Sequence, residues 1–268
     1  MAMSYAAVDD SRKTTRSWCS PPRIERRACC CVSIDSPPDR PDLAIYSQDE
    51  QLALGAVPTW DSPDLLTNYW SPFRLMPETG VTVRNLSPTA AAVNVQVSLY
   101  TSAFGIGAAR SFMSSLIVNL APLQSSTLLF PMTQALLNSA EQRIGVYVKI
   151  THPHDRRQIN NAGAQLLADA YTTASGRNFS VTFPIMNPLA TSQQITVAAF
   201  PNQLGATVTP SVRMFNPLEQ VLATMTLHVP SALHGTPAAP VRQDVTVAGY
   251  GGDGRVIGGL TYVIWIDD

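Results

Sequence analysis

The stretch VTVRNLSPTAAAVNVQV, residues 81–97, decides the fold because a second stretch, VTFPIMNPLATSQQITV, residues 181–197, follows the same plan. Each places an Asn and a nearby Pro between two apolar, partly alternating runs. Asn tolerates left-handed backbone angles and Pro ends ladder pairing, so both are typical of turns between strands. Asn85 and Asn187 are separated by 102 positions. This shift is close to the ~100 residues of one β-sandwich domain and predicts two copies of one all-β unit.

Short apolar or alternating runs separated by turn residues continue from residue 42 to the end of the chain. Examples are SSLIVNLAP, SSTLLFPM and RIGVYVKIT before the middle of the chain, and VLATMTLHVP, DVTVAGY and LTYVIWI after it. Such runs, rich in Val, Thr and Tyr, are typical of antiparallel sandwiches. The alternation in VNVQVSLY predicts a core face and an outer face, with Val93, Val95, Val97 and Leu99 on the first and Asn94, Gln96, Ser98 and Tyr100 on the second.

The sequence therefore predicts an all-β protein: two tandem immunoglobulin-like antiparallel β-sandwiches preceded by an irregular N-terminal arm. The arm covers residues 1–41, which mix Arg, Ser and Pro with little periodicity. The first sandwich is expected over 42–152 and the second over 165–268, with a polar linker at 153–164. The segment PMTQALLNSAEQ, residues 131–142, has helical propensity and predicts a short helix between strands.

The charge composition favours an assembly subunit. Charged residues make up only 14% of the chain, against roughly 25% in an ordinary soluble domain. Lys13 and Lys149 are the only lysines beside 16 arginines, and interfaces are depleted in Lys and enriched in Arg. A genomic GC bias toward Arg codons would give the same ratio, so both interpretations stay open.

The net charge excludes some partners. A formal charge of -1 and a pI near 6.4 provide no basic field for nucleic acid or anionic membranes. No apolar run reaches the ~18 residues of a spanning helix, and residues 1–30 lack the apolar core of a secretory signal. These features favour a cytoplasmic protein, or part of a particle assembled there, and leave surface exposure open.

All four cysteines lie in the predicted arm, at Cys19, Cys29, Cys30 and Cys31. Three adjacent cysteines do not readily bridge one another, and no C-x-x-C pair is present to begin a zinc site. Reduced thiols are the simplest interpretation, with acylation or intermolecular bridging as alternatives. The rest of the chain is expected to fold without disulfides.

The segments PDLAIYS, WDSPDLLTN and GVTVRNLSPTAAAVNVQVSLY, together with LLFPM, VYVKITHPHD and NNAGAQL, resemble the bacterial cell-adhesion-related modules called CARDB-like domains. The resemblance covers residues 41–165, and its most distinctive piece is WDSPD at 60–64. It implies an immunoglobulin-like fold used in tandem for adhesion, spacing or docking. It implies no catalytic residues, since these modules share no active site.

Sites for catalysis or cofactors are poorly supported. His152, His154 and Asp155 form the best metal-like cluster, because His at i and i+2 can direct two nitrogens at one ion. A third or fourth ligand is missing nearby, so they are weak candidates and no metal or cofactor is predicted. GYGGDG, residues 249–254, fits G-x-G-x-x-G but precedes a strand, which predicts a hairpin turn and no dinucleotide site.

Catalytic side chains are likewise not predicted. No Ser lies in a G-x-S-x-G motif and the cysteines have no evident His partner. Asp61 and Asp64 in WDSPD are the best carboxylate pair, and Asp before Ser-Pro is typical of a turn. The sequence indicates a protein that is not an enzyme.

The candidate interaction residues are four aromatic side chains, Trp60, Tyr69, Trp70 and Phe73. Such a group either closes the end of a sandwich or stacks on sugar rings or bases. The sequence therefore predicts a non-enzymatic structural or docking protein that binds other protein subunits through sandwich surfaces and the arm. The alternatives are a structural protein of a phage, virus-like or injection-system particle, and a carbohydrate-binding adhesion module.

Overall fold

β-strands dominate the computed structural model of the protein, which describes residues 39–70, 73–139, 143–166 and 170–268. The predicted arm therefore lies outside the described residues, except for its last three positions. Residues 39–268 form one compact unit. The prediction of an all-β fold with antiparallel sheets is confirmed.

The first half contains eight strands and two short helices. In chain order they are β1 (Leu43–Ala44), α1 (Gln48–Ala53), β2 (Leu65–Trp70), β3 (Phe73–Asn85), β4 (Ala92–Ala103), β5 (Ser111–Leu120), β6 (Ser125–Pro131), α2 (Gln134–Leu137), β7 (Ile144–Thr151) and β8 (Ala162–Leu166). In sheet 1, β3 pairs with β1, β2 and β6. Sheet 2 has the order β5-β4-β7-β8.

The second half consists of strands alone among the described residues. They are β9 (Tyr171–Thr173), β10 (Asn178–Met186), β11 (Gln193–Ala199), β12 (Thr207–Thr209), β13 (Val212–Phe215), β14 (Gln220–His228), β15 (Val241–Tyr250) and β16 (Val256–Ile266). Sheet 3 has the order β10-β14-β12, and sheet 4 has the order β13-β11-β15-β16-β9. The pairing of β16 with β9 is parallel.

Each half encloses a hydrophobic core between its two sheets. The first core joins Val81, Val83 and Phe130 of sheet 1 to residues of sheet 2, among them Val97, Leu99, Val146 and Val148. The second joins Phe183, Met225 and Leu227 of sheet 3 to Val197, Val247, Leu260 and Ile264 of sheet 4. The strand order β5-β4-β7-β8 in sheet 2 matches β13-β11-β15-β16 in sheet 4. The repeat in the sequence therefore corresponds to a repeat in topology.

The two repeated asparagines occupy the same structural position. Asn85 and Asn187 are each 1% exposed, at the end of β3 and of β10. Each side-chain oxygen accepts a hydrogen bond from the backbone N–H two residues later. The Ser87 N–H donates to Asn85 at 3.1 Å, and the Leu189 N–H donates to Asn187 at 3.0 Å. Each side-chain amide donates into its own turn, to Ala90 at 2.7 Å in the first half.

A second turn completes each of these assemblies. Asn85 donates to the Ala121 carbonyl at 3.2 Å, and Asn187 donates to the Asn216 carbonyl at 2.8 Å. The turns that begin at these carbonyls contain Leu123 (φ 57) and Leu218 (φ 55), two left-handed residues. In the second half this turn is closed by the Glu219 N–H, which donates to the Asn216 carbonyl at 3.2 Å.

One strand face differs from the prediction because β4 contains a bulge. Val95, Val97 and Leu99 are buried as predicted, whereas Val93 is 57% exposed. The register shifts between Ala92 and Val95, and Asn94 has φ 60. An extra residue in one strand breaks the alternation, so the assignment of Val93 to the core was wrong.

The helices also differ from the prediction. No helix was predicted at residues 48–53, where α1 begins directly after Ser47, whose side chain accepts from the Glu50 N–H. Ser-x-x-Glu is a capping box, a helix-start signal that was overlooked in the sequence. The helix predicted over 131–142 is restricted to α2 in the described residues.

The predicted linker is partly regular structure. Its last residues, 162–164, belong to β8, where Lys149 pairs with Ala162 and extends sheet 2. The division into two domains stays a prediction.

Candidate functional site

Trp60, the first predicted interaction residue, is buried inside the protein. It is 2% exposed and belongs to the second core although it precedes β2. Its backbone N–H donates to the Thr261 hydroxyl at 2.8 Å, and its carbonyl accepts from the Leu166 N–H at 3.0 Å. Gly259 lies so close to the indole ring that a Cβ at that position would overlap it. Trp60 therefore joins the two halves.

Asp61 strengthens the same contact. Its carboxylate lies 3.3 Å from Arg242, and Arg242 is also paired with Asp244 at 2.7 Å. Burial raises the pKa of Asp61 above its ordinary value, and the charge and hydrogen bond of Arg242 oppose that increase. The W-D-S-P-D segment thus supplies a structural junction.

Asp64 at the end of this segment is also structural. It is 4% exposed and forms a two-pronged ion pair with Arg84, at 2.6 Å for one of the two contacts. Its Oδ2 also accepts the Tyr46 N–H at 2.6 Å. Two-pronged Arg–carboxylate pairs hold a fixed geometry, which fixes this turn against β3.

The connection between β4 and β5 makes a second contact between the halves. Ile106 is fully buried in the second core. Its N–H donates to the Pro184 carbonyl at 3.0 Å, and its carbonyl accepts from the Met186 N–H at 2.8 Å. Gly249 accommodates this residue, since a Cβ there would press against the Ile106 side chain. This requirement for small residues was not recognised in the sequence.

The other three predicted aromatic residues lie at one hairpin. Trp70 pairs with Phe73, and Tyr69 with Arg74, where β2 meets β3. Their side chains are outside the described residues, so their role stays a prediction. Trp60 lies apart from this hairpin, in the junction between the halves, and is 2% exposed.

The candidate metal residues are used by the turn that follows β7. Asp155 is 5% exposed; its carboxylate accepts from the Leu43 N–H at 2.8 Å and from the Asn161 side chain at 2.6 Å. His152 is half-buried and His154 is exposed, with ring centroids 5.9 Å apart. Within the described ranges, His, Cys, Asp and Glu side chains form no group of three or more that could hold a metal.

The glycine-rich segment forms the hairpin between β15 and β16, as predicted. The Gly251 N–H donates to the Arg255 carbonyl at 2.8 Å. Gly254 has φ +77, the left-handed conformation that favours glycine in a hairpin turn.

The strongest candidate for an interaction surface is β5, at the edge of sheet 2. Its ten residues, SFMSSLIVNL, include no charged residue, Pro or Gly. Phe112, Leu116 and Ile117 are 59%, 37% and 61% exposed. Native edge strands are usually protected by charge, Pro or shortness. This edge has none of these protections, and in the described part of the chain β5 pairs only with β4.

The equivalent strand in the second half, β13, is also an apolar edge. Val212 and Met214 are 52% and 62% exposed. Between them, Arg213 pairs with Glu219 at 2.7 Å. With four residues and one charge, β13 offers less surface than β5.

Comparisons with known proteins leave the family open. No family model matches the chain, which gives no support for the CARDB-like resemblance in particular. No curated protein matches either.

Two solved structures show distant likeness. SSP-19, an MSP-domain protein like family member in Caenorhabditis elegans, is 14% identical with a TM-score of 0.25, over 37% of this chain and 94% of that one. A protein of unknown function from Porphyromonas gingivalis W83 is 12% identical with a TM-score of 0.24, over 72% and 94% of the two chains. Scores this low carry no argument about function.

None of the helices in the described ranges is long and apolar enough to cross a membrane.

Proposed function

We propose that this protein is a non-enzymatic structural or docking subunit that assembles with further copies of itself. The observation that carries the proposal is the uncharged ten-residue edge strand β5, in which six residues are exposed. The resemblance to CARDB-like modules, which occur in tandem as spacers and docking parts, agrees with this role.

An edge strand can bind a partner through its backbone. About half of the residues in an antiparallel edge strand direct their N–H and C=O groups away from the sheet, so β5 offers roughly five such pairs. A strand from another molecule can satisfy them, and alternate side chains then determine specificity. On β5, Phe112 packs edge-on against Tyr100 with ring centroids 5.6 Å apart. Ile117 and Leu116 provide additional apolar surface.

The predicted arm is the second part of the proposal. Residues 1–38 carry six of the 18 basic residues and four of the 19 acidic ones, a net charge of +2. Residues 39–268 therefore carry 12 basic and 15 acidic residues, a net charge of −3. Opposite net charges favour contact between the arm of one copy and the body of another.

A charge placed on the edge tests the proposal. We expect the unmodified protein to exceed its monomer mass of 28.9 kDa in light scattering. Ile117→Lys should shift it toward monomer, with association weakened at least about tenfold, because a Lys at the interface would be desolvated without a partner. Leu54→Lys is the control, since Leu54 is 73% exposed just after α1, away from the edge.

Two results would contradict this function. One is the mass of a monomer in light scattering at every protein concentration measured. The other is an oligomer whose mass is the same in Ile117→Lys and in the unmodified protein. Deletion of residues 1–38 tests the arm separately and should lower the oligomer mass.

The particle alternative relies on the same edge and differs in outcome. If the protein belongs to a particle, negative-stain images of the purified protein would show a lattice or a closed particle. If it is a docking subunit, the images would show small oligomers. The carbohydrate alternative depends on Trp70, Tyr69 and Phe73, and loss of glycan binding in Trp70→Ala would support it.

A further inference from the structure

A cavity of about 250 Å³ lies where the outer face of sheet 2 meets α1 and β16. Its aromatic lining residues are Trp60, Tyr100 and Tyr147. Tyr100 of β4 and Tyr147 of β7 are direct neighbours across the strand pair. A small cavity with aromatic walls is suited to a flat or disc-shaped ligand of one ring.

The cavity also contains two cations. The Arg110 guanidinium lies 4.0 Å from the centre of the Tyr147 ring. Lys149 follows Tyr147 by two residues in β7, so both side chains lie on the same face of sheet 2. Neither cation forms a salt bridge with any carboxylate in the described ranges. Both are exposed and available to a ligand.

The other polar lining residues do not neutralise this charge. Asp49 of α1 lines the cavity and is exposed, which leaves a net charge of +1 from Asp49, Arg110 and Lys149. Gln48 is already engaged, with its amide nitrogen donating to the Thr59 and Ala164 carbonyls at 2.8 and 2.7 Å. The site therefore combines an excess positive charge with aromatic lining residues.

We propose that this cavity binds a small anion: a six-membered ring that carries one carboxylate, from either a uronic sugar or an aromatic acid. The carboxylate contacts Arg110 and Lys149, and the ring packs against the half-buried side chain of Tyr100. Carboxylates pair well with guanidinium groups, and ring faces stack on tyrosine and tryptophan. A ligand of roughly ten heavy atoms should bind with a Kd in the millimolar to high-micromolar range. This proposal does not depend on assembly through β5, although Tyr100 in the cavity wall contacts Phe112 of that strand.

The scarcity of lysine provides a direct test. Reductive methylation with ¹³C formaldehyde keeps the lysine charge and labels only Lys13, Lys149 and the terminal amine. The probes are glucuronate and benzoate, with methyl glucoside and benzyl alcohol as neutral controls. We expect the Lys149 signal to shift saturably with at least one acid, while the Lys13 signal stays in place. The acid that binds more tightly identifies the source of the ligand.

Two variants check the assignment. Arg110→Met should weaken binding of the acid at least about fivefold. Arg177→Met should leave it unchanged, because Arg177 is exposed and does not line the cavity. Three results overturn the proposal: no saturable shift with either acid, equal shifts of Lys13 and Lys149, or equal binding of a neutral control.

Discussion

Replacement of Asn187 by Ala should lower the free energy of unfolding, because this side chain makes four hydrogen bonds in the turn. The Asn187 amide donates to the Thr191 and Asn216 carbonyls, both at 2.8 Å. Its oxygen accepts from the Leu189 N–H at 3.0 Å and from the Gln193 side chain at 2.7 Å. Alanine leaves these groups without their partner in a site where Asn187 itself is 1% exposed.

The expected loss follows from the number of backbone groups. Three backbone groups lose a hydrogen bond, and a part-buried group without its partner costs about 1 kcal/mol, the low end of the range for buried groups. The free energy of unfolding should therefore fall by about 3 kcal/mol. For a protein of this size, that corresponds to a decrease in melting temperature of about 6–12 °C.

Urea denaturation followed by circular dichroism and tryptophan fluorescence measures this change. Asn138→Ala is the matched control, since Asn138 is exposed at the end of α2 and accepts one bond from Gln134; it should change stability by less than about 0.5 kcal/mol. Asn85→Ala should resemble Asn187→Ala, because the two side chains make equivalent bonds. If Asn187→Ala unfolds at the same urea concentration as Asn138→Ala, the turn assembly does not stabilise the fold as argued here.

Two further predictions concern the junction between the halves. Gly259→Ala should lower the free energy of unfolding by about 1–3 kcal/mol, as overpacking does, because the new Cβ overlaps the Trp60 ring. Gly252→Ala is the control in thermal melts, since the nearest atom to its Cβ is 3.6 Å away. Equal melting temperatures for the two variants would contradict the contact between Gly259 and Trp60. Asp61→Asn tests the raised pKa of Asp61: a carboxyl with a raised folded pKa stabilises while protonated and loses that stabilisation as pH rises through the folded value. The measurement is the unfolding free energy of Asp61→Asn minus that of the unmodified protein, taken about every pH unit from pH 3 to pH 7. This difference should increase with pH. A difference that decreases with pH would show that the ion pair with Arg242 outweighs burial.

The turn residues show how far the sequence leads. Asn85 and Asn187 were identified from the repeated pattern of Asn and Pro and its spacing. Such a turn depends on an amide side chain and a few neighbouring residues, so its pattern is visible in the sequence. A local pattern likewise predicted the glycine-rich hairpin at residues 249–254. Local chemistry determines these features, so a local pattern reveals them.

Features that depend on distant residues were missed. The cavity unites Tyr147, Arg110 and Asp49 from separate parts of the chain, and no spacing in the sequence marks them. Trp60 was recognised as notable, but its contact with Gly259 requires knowledge of how the two halves pack. The bulge that exposes Val93 depends on Asn94, whose N–H bonds to the Asn119 side chain at 2.8 Å. Tertiary contacts determine all three.

The contacts of Trp60 and Ile106 affect what each half can do alone. A segment of the first half supplies buried side chains to the second core at both places. If the chain were cleaved near residue 158, the second fragment would lose these side chains and would expose the apolar surface around Gly249 and Gly259 to water. The first fragment would expose an indole ring and an isoleucine. We therefore expect the two halves to fold and unfold together, although their strand orders repeat.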